Sequence, residues 1–174
     1  VKDEEIYVEG IRHITPVDMK FADQLGYVIK LLGIIAQDGG TQDTGNPRVQ
    51  VSVCPTLIPK SHPLAGVNDV FNAVFVRGDL VGDTLFYGRG AGKDATASAV
   101  LSDLADAALD LKMGTKHRLP PFVPHAREGT VVSHAETVSR HFVRLSVEDK
   151  PGTLARIAAI FGEANIGILS VIQP

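Results

Sequence analysis

The chain has 174 residues, 44% hydrophobic and 21% charged, with a formal net charge of −3, room for one globular domain plus a small appendage. Mild acidity and 6% aromatic residues offer neither the basic surface nor the stacking platforms that nucleic-acid binding requires. Apolar runs such as Ile29 to Ala36 are too short to span a bilayer, and the lone Cys54 excludes an internal disulfide and suits a reducing compartment.

The chain opens at Val1-Lys2-Asp3-Glu4-Glu5, with no basic-then-apolar leader, and stops at Val171-Ile172-Gln173-Pro174 inside an apolar strand pattern. It is therefore expected to be an excerpt of a longer, cytoplasmic polypeptide. Ile6 to Ile11 reads as a short strand. Thr15-Pro16-Val17-Asp18 is a helix start, with a capping hydroxyl, a proline at the first helical position and a carboxylate that complements the dipole. That helix is expected to reach about Leu25 and stop at Gly26. Tyr27 to Gln37 reads as a largely buried strand, and Asp38-Gly39-Gly40 through Asn46-Pro47 as turns. Arg48 to Val53 alternates, placing Val49, Val51 and Val53 on one face. Cys54, at the end of that run before Pro55, reads as a small buried hydrophobe rather than a nucleophile. Val70 to Arg77 and Leu80 to Gly88 form a strand pair joined through Gly78-Asp79.

Next comes Tyr87-Gly88-Arg89-Gly90-Ala91-Gly92-Lys93, between a strand pattern and a long helical one. Alternating glycines there let bare backbone approach a ligand and aim unpaired helix N–H groups at it. Gly90-x-Gly92-x-x-Ala95 even spells the dinucleotide fingerprint G-x-G-x-x-G/A. A true fingerprint needs a second strand after the helix, ending in an acidic residue about 20 residues on. Asp110 lies at that distance but inside the helical pattern, so a complete Rossmann half does not fit. The remaining alternative is that the glycines only serve a tight strand-to-helix turn.

In the helix that follows, Ala97, Val100, Leu101, Leu104, Ala108 and Leu111 share one stripe, with Asp103, Asp106 and Asp110 largely turned away. Met113-Gly114 ends it. Lys116 to Glu128 contains Pro120, Pro121 and Pro124 and reads as linker. A second unit follows: a strand over Phe142 to Val147, a turn at Glu148-Asp149-Lys150-Pro151-Gly152, and a helix over Thr153 to Ala164. Leu154, Ile157, Ala158 and Phe161 form that helix's apolar stripe. Asn165 is placed for a left-handed C-cap, and Gly167 to Ile172 is the next strand. Two strands and a helix are marginal alone, so further residues or a partner subunit must complete this right-handed βαβ unit.

Candidate chemistry elsewhere is sparse. His13, His62, His117, His125, His134 and His141 lack metal-ligand spacing, so no metal is expected. Lys30 sits in an amphipathic strand and is read as snorkelling to the surface. Glu9 reads as a strand-end surface group, and Lys60-Ser61-His62 lacks an orienting acid. Asp149-Lys150-Pro151-Gly152, leading into a helix N-terminus, could hold an amino acid's carboxylate while Asp149 meets its ammonium group. Alternatively that turn only joins strand to helix.

Val8-Glu9-Gly10-Ile11-Arg12-His13-Ile14-Thr15-Pro16, Leu25-Gly26-Tyr27-Val28-Ile29-Lys30-Leu31-Leu32, and the stretch from Gly78 to Leu104 resemble the C-terminal half of bacterial homoserine dehydrogenase. Pro55-Thr56-Leu57-Ile58-Pro59 and Val67-Asn68-Asp69-Val70-Phe71-Asn72-Ala73 fit the same pattern, and the likeness covers about residues 1 to 112. Residues 141 to 174 resemble the start of an ACT domain, through the Asp-Lys-Pro-Gly turn and the Asn-Ile-Gly segment. The resemblance implies an α+β fold: a mixed, largely antiparallel sheet with helices on one face, followed by a partial ACT-like βαβ unit. The implied division is a substrate-binding and dimerisation domain at 1–115, a linker at 116–140 and the ACT-like part at 141–174.

The activity implied is interconversion of L-homoserine and L-aspartate 4-semialdehyde with NADP or NAD, in a homodimer or higher homo-oligomer. Gly88, Gly90, Ala91 and Gly92 are the implied cofactor-proximal residues. Asp149, Pro151, Gly152, Asn165 and Ile166 would bind an amino-acid effector, with threonine the natural choice. The family's catalytic pair is an Asp followed four positions later by a Lys, and no Asp here has that partner. That pair and the nucleotide-binding half are expected upstream of Val1, so no catalytic residue is assigned. Two other classes compete: a non-catalytic module that binds an amino acid through its ACT-like end, and a purely structural dimerisation domain.

Overall fold

A computed structural model describes residues 1–38, 48–114 and 129–173. The turn-rich stretch 39–47 and the proline-rich stretch 115–128, with His117 and His125, lie outside the described residues. In chain order the elements are β1 (Tyr7–Val8), α1 (Pro16–Gln24), β2 (Tyr27–Asp38), β3 (Arg48–Pro59), β4 (Phe71–Gly78), β5 (Gly82–Arg89), α2 (Lys93–Met113), β6 (Thr130–Val131) and α3 (Thr153–Glu163). The fold is α+β, and it divides into two compact units. One gathers Val1–Asp38, Val49–Pro59 and Val131–Pro174; the other gathers Gly39–Arg48 and Lys60–Thr130.

In the first unit β3 is the central strand of the order β1-β3-β2, and β6 also pairs with it. β1 runs parallel to β3, with Tyr7 opposite Ser52 and Val8 opposite Val53, and the Glu9 N–H donates to the Val53 carbonyl at 2.8 Å. Further along β3, the Val132 N–H donates to the Val49 carbonyl at 2.9 Å. Residues 130–136 were expected in the linker, yet they add a strand to this sheet and bury Val132. A two-residue strand is too short to print a period-2 pattern, which is why the sequence reading passes over it.

Helix α1 begins as its residues dictate. Thr15 is the N-cap, Pro16 occupies the first turn, and Thr15 and Asp18 form a reciprocal capping box. Gly26, at φ 83°, lets the chain leave the helix in the left-handed region. The helix packs on β2 and buries Ala22. β2 itself is not the largely buried strand expected. It is half-buried over Tyr27 to Lys30 and then alternates, with Leu31 and Ile35 exposed. An apolar run earns burial only where both faces are covered, and among the described residues the second face of β2 is open.

In the second unit β4 and β5 form an antiparallel hairpin in continuous register from Phe71↔Arg89 to Gly78↔Gly82. Gly82, at φ 75°, makes the tight return. α2 runs for 21 residues and ends at Gly114 in the left-handed conformation, as the Met113-Gly114 signal predicts. Its apolar stripe is present but uncovered by the described residues: Leu104, at its centre, is 63% exposed.

The ACT-like helix α3 forms over the predicted span. Asn165 takes φ 57°, with its N–H on the Gly162 carbonyl at 3.0 Å and the Ile166 N–H on the Phe161 carbonyl at 2.8 Å. Together these bonds make a complete Schellman C-cap. The flanking segments 142–147 and 167–172, read as strands, carry no strand ladder in the structure. A strand exists only through its pairing, and two short ones beside one helix lack the third strand that would hold them.

Candidate functional site

The glycine stretch lies where the sequence places it, between β5 and α2. The β4–β5 ladder sets its course. Asn72 faces Gly88 across the hairpin, and the Gly90 N–H donates to the Val70 carbonyl at 3.2 Å, carrying the pairing one step beyond Phe71↔Arg89. Gly92 then turns the chain at φ 123° and ψ 145° and serves as N-cap of α2, its carbonyl accepting the Thr96 N–H at 3.1 Å. Period-2 alternation puts Asn72, Val74 and Val76 on one face of the hairpin with Thr84, Phe86 and Gly88. The other face is braced by Phe71 stacked on Tyr87 at 4.9 Å, Arg89 over the Phe71 ring at 5.4 Å, and a forked Arg77–Asp83 pair at 2.7 and 3.2 Å.

The three glycines are not equivalent. A Cβ at Gly88 would meet nothing within 4 Å, so space does not explain that glycine. A Cβ at Gly90 would fall 1.5 Å from Asn72 Nδ2, in space the carboxamide already fills. At Gly92 a Cβ would again meet nothing, but its φ of +123° is glycine territory. Gly88 and Gly90 line a shallow cavity of about 280 Å³ with Asn72, Val74, Phe86 and Arg89; Ala91 and Gly92 follow outside it. The cavity is shallow, and Gly88 and Gly90 leave that stretch of its wall without side chains except where the Asn72 carboxamide leans over Gly90. Asn72 stands inside the Val67-to-Ala73 motif, where its type alone carries no signal of a role. Its period-2 position opposite Gly88 was the signal that could have found it.

The effector residues are split. Gly152, in the left-handed region at φ 85°, caps α3 and its carbonyl accepts the Arg156 N–H at 3.0 Å. Asp149 and Pro151 stand beside it, in a turn held by the Lys150 N–H on the Glu148 carbonyl at 3.0 Å and the Thr153 N–H on the Lys150 carbonyl at 3.2 Å. Asn165 and Ile166 lie at the opposite end of α3. Eleven helical residues separate the two groups, about 16 Å of helix axis. One copy of the chain does not bring them around a single amino acid.

Asp18 does more than complement a dipole. Its buried carboxylate accepts from the Thr15 N–H at 2.8 Å and the Thr15 hydroxyl at 2.6 Å, and it pairs with Arg144 Nε at 2.6 Å. The Thr15 donors, aided by Arg144, hold its pKa below the usual carboxylate value against the opposing cost of burial. Arg144 is the residue that sequence reasoning missed here. It lies in the middle of a presumed strand, and only the fold brings it to α1.

The remaining candidates are engaged locally. Glu9 is exposed and accepts the Tyr7 hydroxyl at 2.8 Å, a bond that raises the Tyr7 pKa. The Tyr7 ring stacks on His134 at 3.6 Å. His62 Nδ1 accepts the Leu64 N–H at 3.2 Å, and the ring leans on Phe75, so it is not poised against Ser61. Cys54 and Lys30 are half-buried in β3 and β2. Among the described residues no three His, Cys, Asp or Glu side chains gather as metal ligands, and no helix is long and apolar enough to cross a membrane.

The order of these parts has a counterpart in known proteins. The sequence model of homoserine dehydrogenase matches residues 1–105, and that of the ACT domain matches residues 141–173. The chain belongs to the homoserine dehydrogenase family. The homoserine dehydrogenase of Neisseria gonorrhoeae is 43% identical over 170 residues, covering 96% of this chain and 38% of that relative. That of Bacillus subtilis is 37% identical, covering 98% of this chain and 37% of the relative. The crystal structure of the Thiobacillus denitrificans homoserine dehydrogenase superposes with a TM-score of 0.74 at 36% identity, over 98% of this chain and 38% of that one. The chain therefore spans under two-fifths of the length of the homoserine dehydrogenases it matches. The match to residues 1–105 takes in the whole glycine stretch and the Asn72 strand, and the ACT match takes in both ends of α3.

Proposed function

We propose that this chain supplies the substrate-binding, dimerisation and regulatory part of a cytoplasmic homoserine dehydrogenase. The reaction is interconversion of L-aspartate 4-semialdehyde and L-homoserine with NADP or NAD, on the route to threonine, methionine and isoleucine. The observation that carries this reading is the glycine stretch, set between β5 and α2 within the family match. In this reading Gly88, Gly90, Ala91 and Gly92 lie at the cofactor's nicotinamide end, where their small size keeps the loop close to the ring. On the same reading the Asp/Lys catalytic pair and the nucleotide-binding domain come from the part of the enzyme outside these 174 residues. The domains are a substrate-binding and dimerisation part at 1–115 and an ACT-like part at 141–174, with residues 130–132 between them joined to the β3 sheet.

A hybrid tests this. Replacing the matching 170-residue stretch of the Neisseria gonorrhoeae relative with this chain is expected to yield an enzyme that oxidises NADPH with aspartate semialdehyde. The 174-residue chain alone is expected to show no turnover. Turnover by the chain alone would place the catalytic pair wrongly. A folded but inactive hybrid would sink the enzyme reading.

The ACT match favours a second role that is compatible with the first: feedback by an amino acid, with threonine expected. On this reading Asp149, Pro151 and Gly152, about a helix length from Asn165 and Ile166 in one copy, share an effector only across two copies of the chain. Calorimetry with threonine, methionine and isoleucine is expected to show threonine binding to the dimeric hybrid. Heat of binding in the 174-residue chain, combined with an inactive hybrid, would favour a non-catalytic amino-acid-binding module instead.

A further inference from the structure

Asn72 sits on an exposed strand position, where a solvated side chain would ordinarily carry no role. Its surroundings are unusual. The residue directly opposite it on β5 is Gly88, and the diagonal position one step further along that face is Gly90. Two successive missing side chains open a trough, and a side chain on the facing strand can lean along it. A Cβ placed on Gly90 would lie 1.5 Å from Asn72 Nδ2, 2.6 Å from Cγ and 3.2 Å from Cβ, so the whole side chain of Asn72, not only its tip, occupies that trough.

Gly90 is also the last residue tied to the ladder, through its N–H on the Val70 carbonyl at 3.2 Å, before Gly92 swings the chain into α2. Whatever rests on Gly90 fixes where that swing begins. We infer that Asn72 is a positioning residue: its carboxamide, packed into the space Gly90 leaves, sets the course of the Gly88–Gly92 backbone. An alanine at 90 would have to displace this carboxamide, whereas Gly92 is selected by its φ. This inference rests on the proposed cofactor-facing role of the loop for its consequence in catalysis, but not for its structural content.

The test is a double-mutant cycle of Asn72→Ala and Gly90→Ala, read in two ways. In the 174-residue chain, the amide resonances of Gly88 and Gly92 are followed by NMR, with far-UV circular dichroism confirming an intact fold. Each single variant is expected to shift these amides. The double variant is expected to shift them no further, because both changes remove one contact. Asn72→Asp, which keeps the shape, should restore the native shifts. In the hybrid enzyme, Asn72→Ala is expected to raise the KM for the nicotinamide cofactor about tenfold with kcat little changed. Additive shifts in the cycle, or native shifts in Asn72→Ala, overturn the inference. An inactive unmutated hybrid counts against the proposed function alone, since the NMR cycle still decides the role of Asn72.

Discussion

Alanine at position 92 is expected to weaken the fold and disable the site together. Gly92 holds φ 123° and ψ 145°, and a Cβ there would touch nothing within 4 Å. The penalty therefore comes from backbone conformation rather than collision, and such strain costs about 1–3 kcal/mol at a non-glycine residue. The chain can relieve it by rotating toward negative φ, but Gly92 is the N-cap of α2 and its carbonyl starts the helix through Thr96. Rotation would displace the first turn of α2 and re-aim its unpaired N–H groups. A displacement on the order of 1 Å at a positioned ligand is enough for a loss on the order of 100-fold in kcat/KM. Thermal unfolding of the 174-residue chain and kinetics of the hybrid enzyme measure the two effects. Gly88→Ala is the control, since it has neither positive φ nor a neighbour to strike, and it should leave stability nearly unchanged. Native stability in Gly92→Ala would remove the argument that conformation selects this glycine.

What could be read from residues alone follows a physical divide. Caps and stops are local, so Thr15, Gly26, Gly114 and Asn165 all take the roles their chemistry announces. The hairpin around Gly78-Asp79 was equally legible, because alternation on both sides points to a tight return. Covering was not legible. The stripe of α2 has helical spacing, yet spacing says which face is apolar and not what lies against it. The run Tyr27 to Gln37 differs from its expected burial for the same reason, since an apolar strand looks alike whether one face or two are packed. The ACT-like strands fail differently: their residues alternate, but a ladder is a property of pairs. In the candidate site the glycines stood out by composition, while Asn72 and Arg144 did not. Each acts across the fold, Asn72 on the facing strand and Arg144 on a helix more than a hundred residues away in sequence.

The Asp18–Arg144 pair carries the second large expectation, because one carboxylate there does two jobs. It closes the capping box of α1, and within the first compact unit it anchors the ACT-matched segment 141–173 to the homoserine dehydrogenase-matched segment 1–105. Asp18→Ala leaves the Thr15 N–H without its acceptor and Arg144 without its counter-ion, for an expected loss of about 2 kcal/mol. Arg144→Ala should cost less. Arg144 is partly exposed, and the capping box survives without it. The double variant should fall short of the sum, since both changes break the same bond. The pH dependence has a definite sign. Thr15 and Arg144 lower the Asp18 pKa in the folded chain, so the carboxylate stabilises the fold above its unfolded value of about 3.9. That contribution fades as pH falls through the lower folded value. Asp18→Asn should therefore flatten the acid limb of the stability curve below about pH 4 and leave its shape near neutrality unchanged. Limited proteolysis and hydrogen exchange separate the two jobs. Arg144→Ala should speed cleavage across 141–150 while the α1 amides stay protected, whereas Asp18→Ala should speed both cleavage there and exchange in α1. If Arg144→Ala left cleavage across 141–150 unchanged, the ion pair would not be what holds the ACT-like segment to α1.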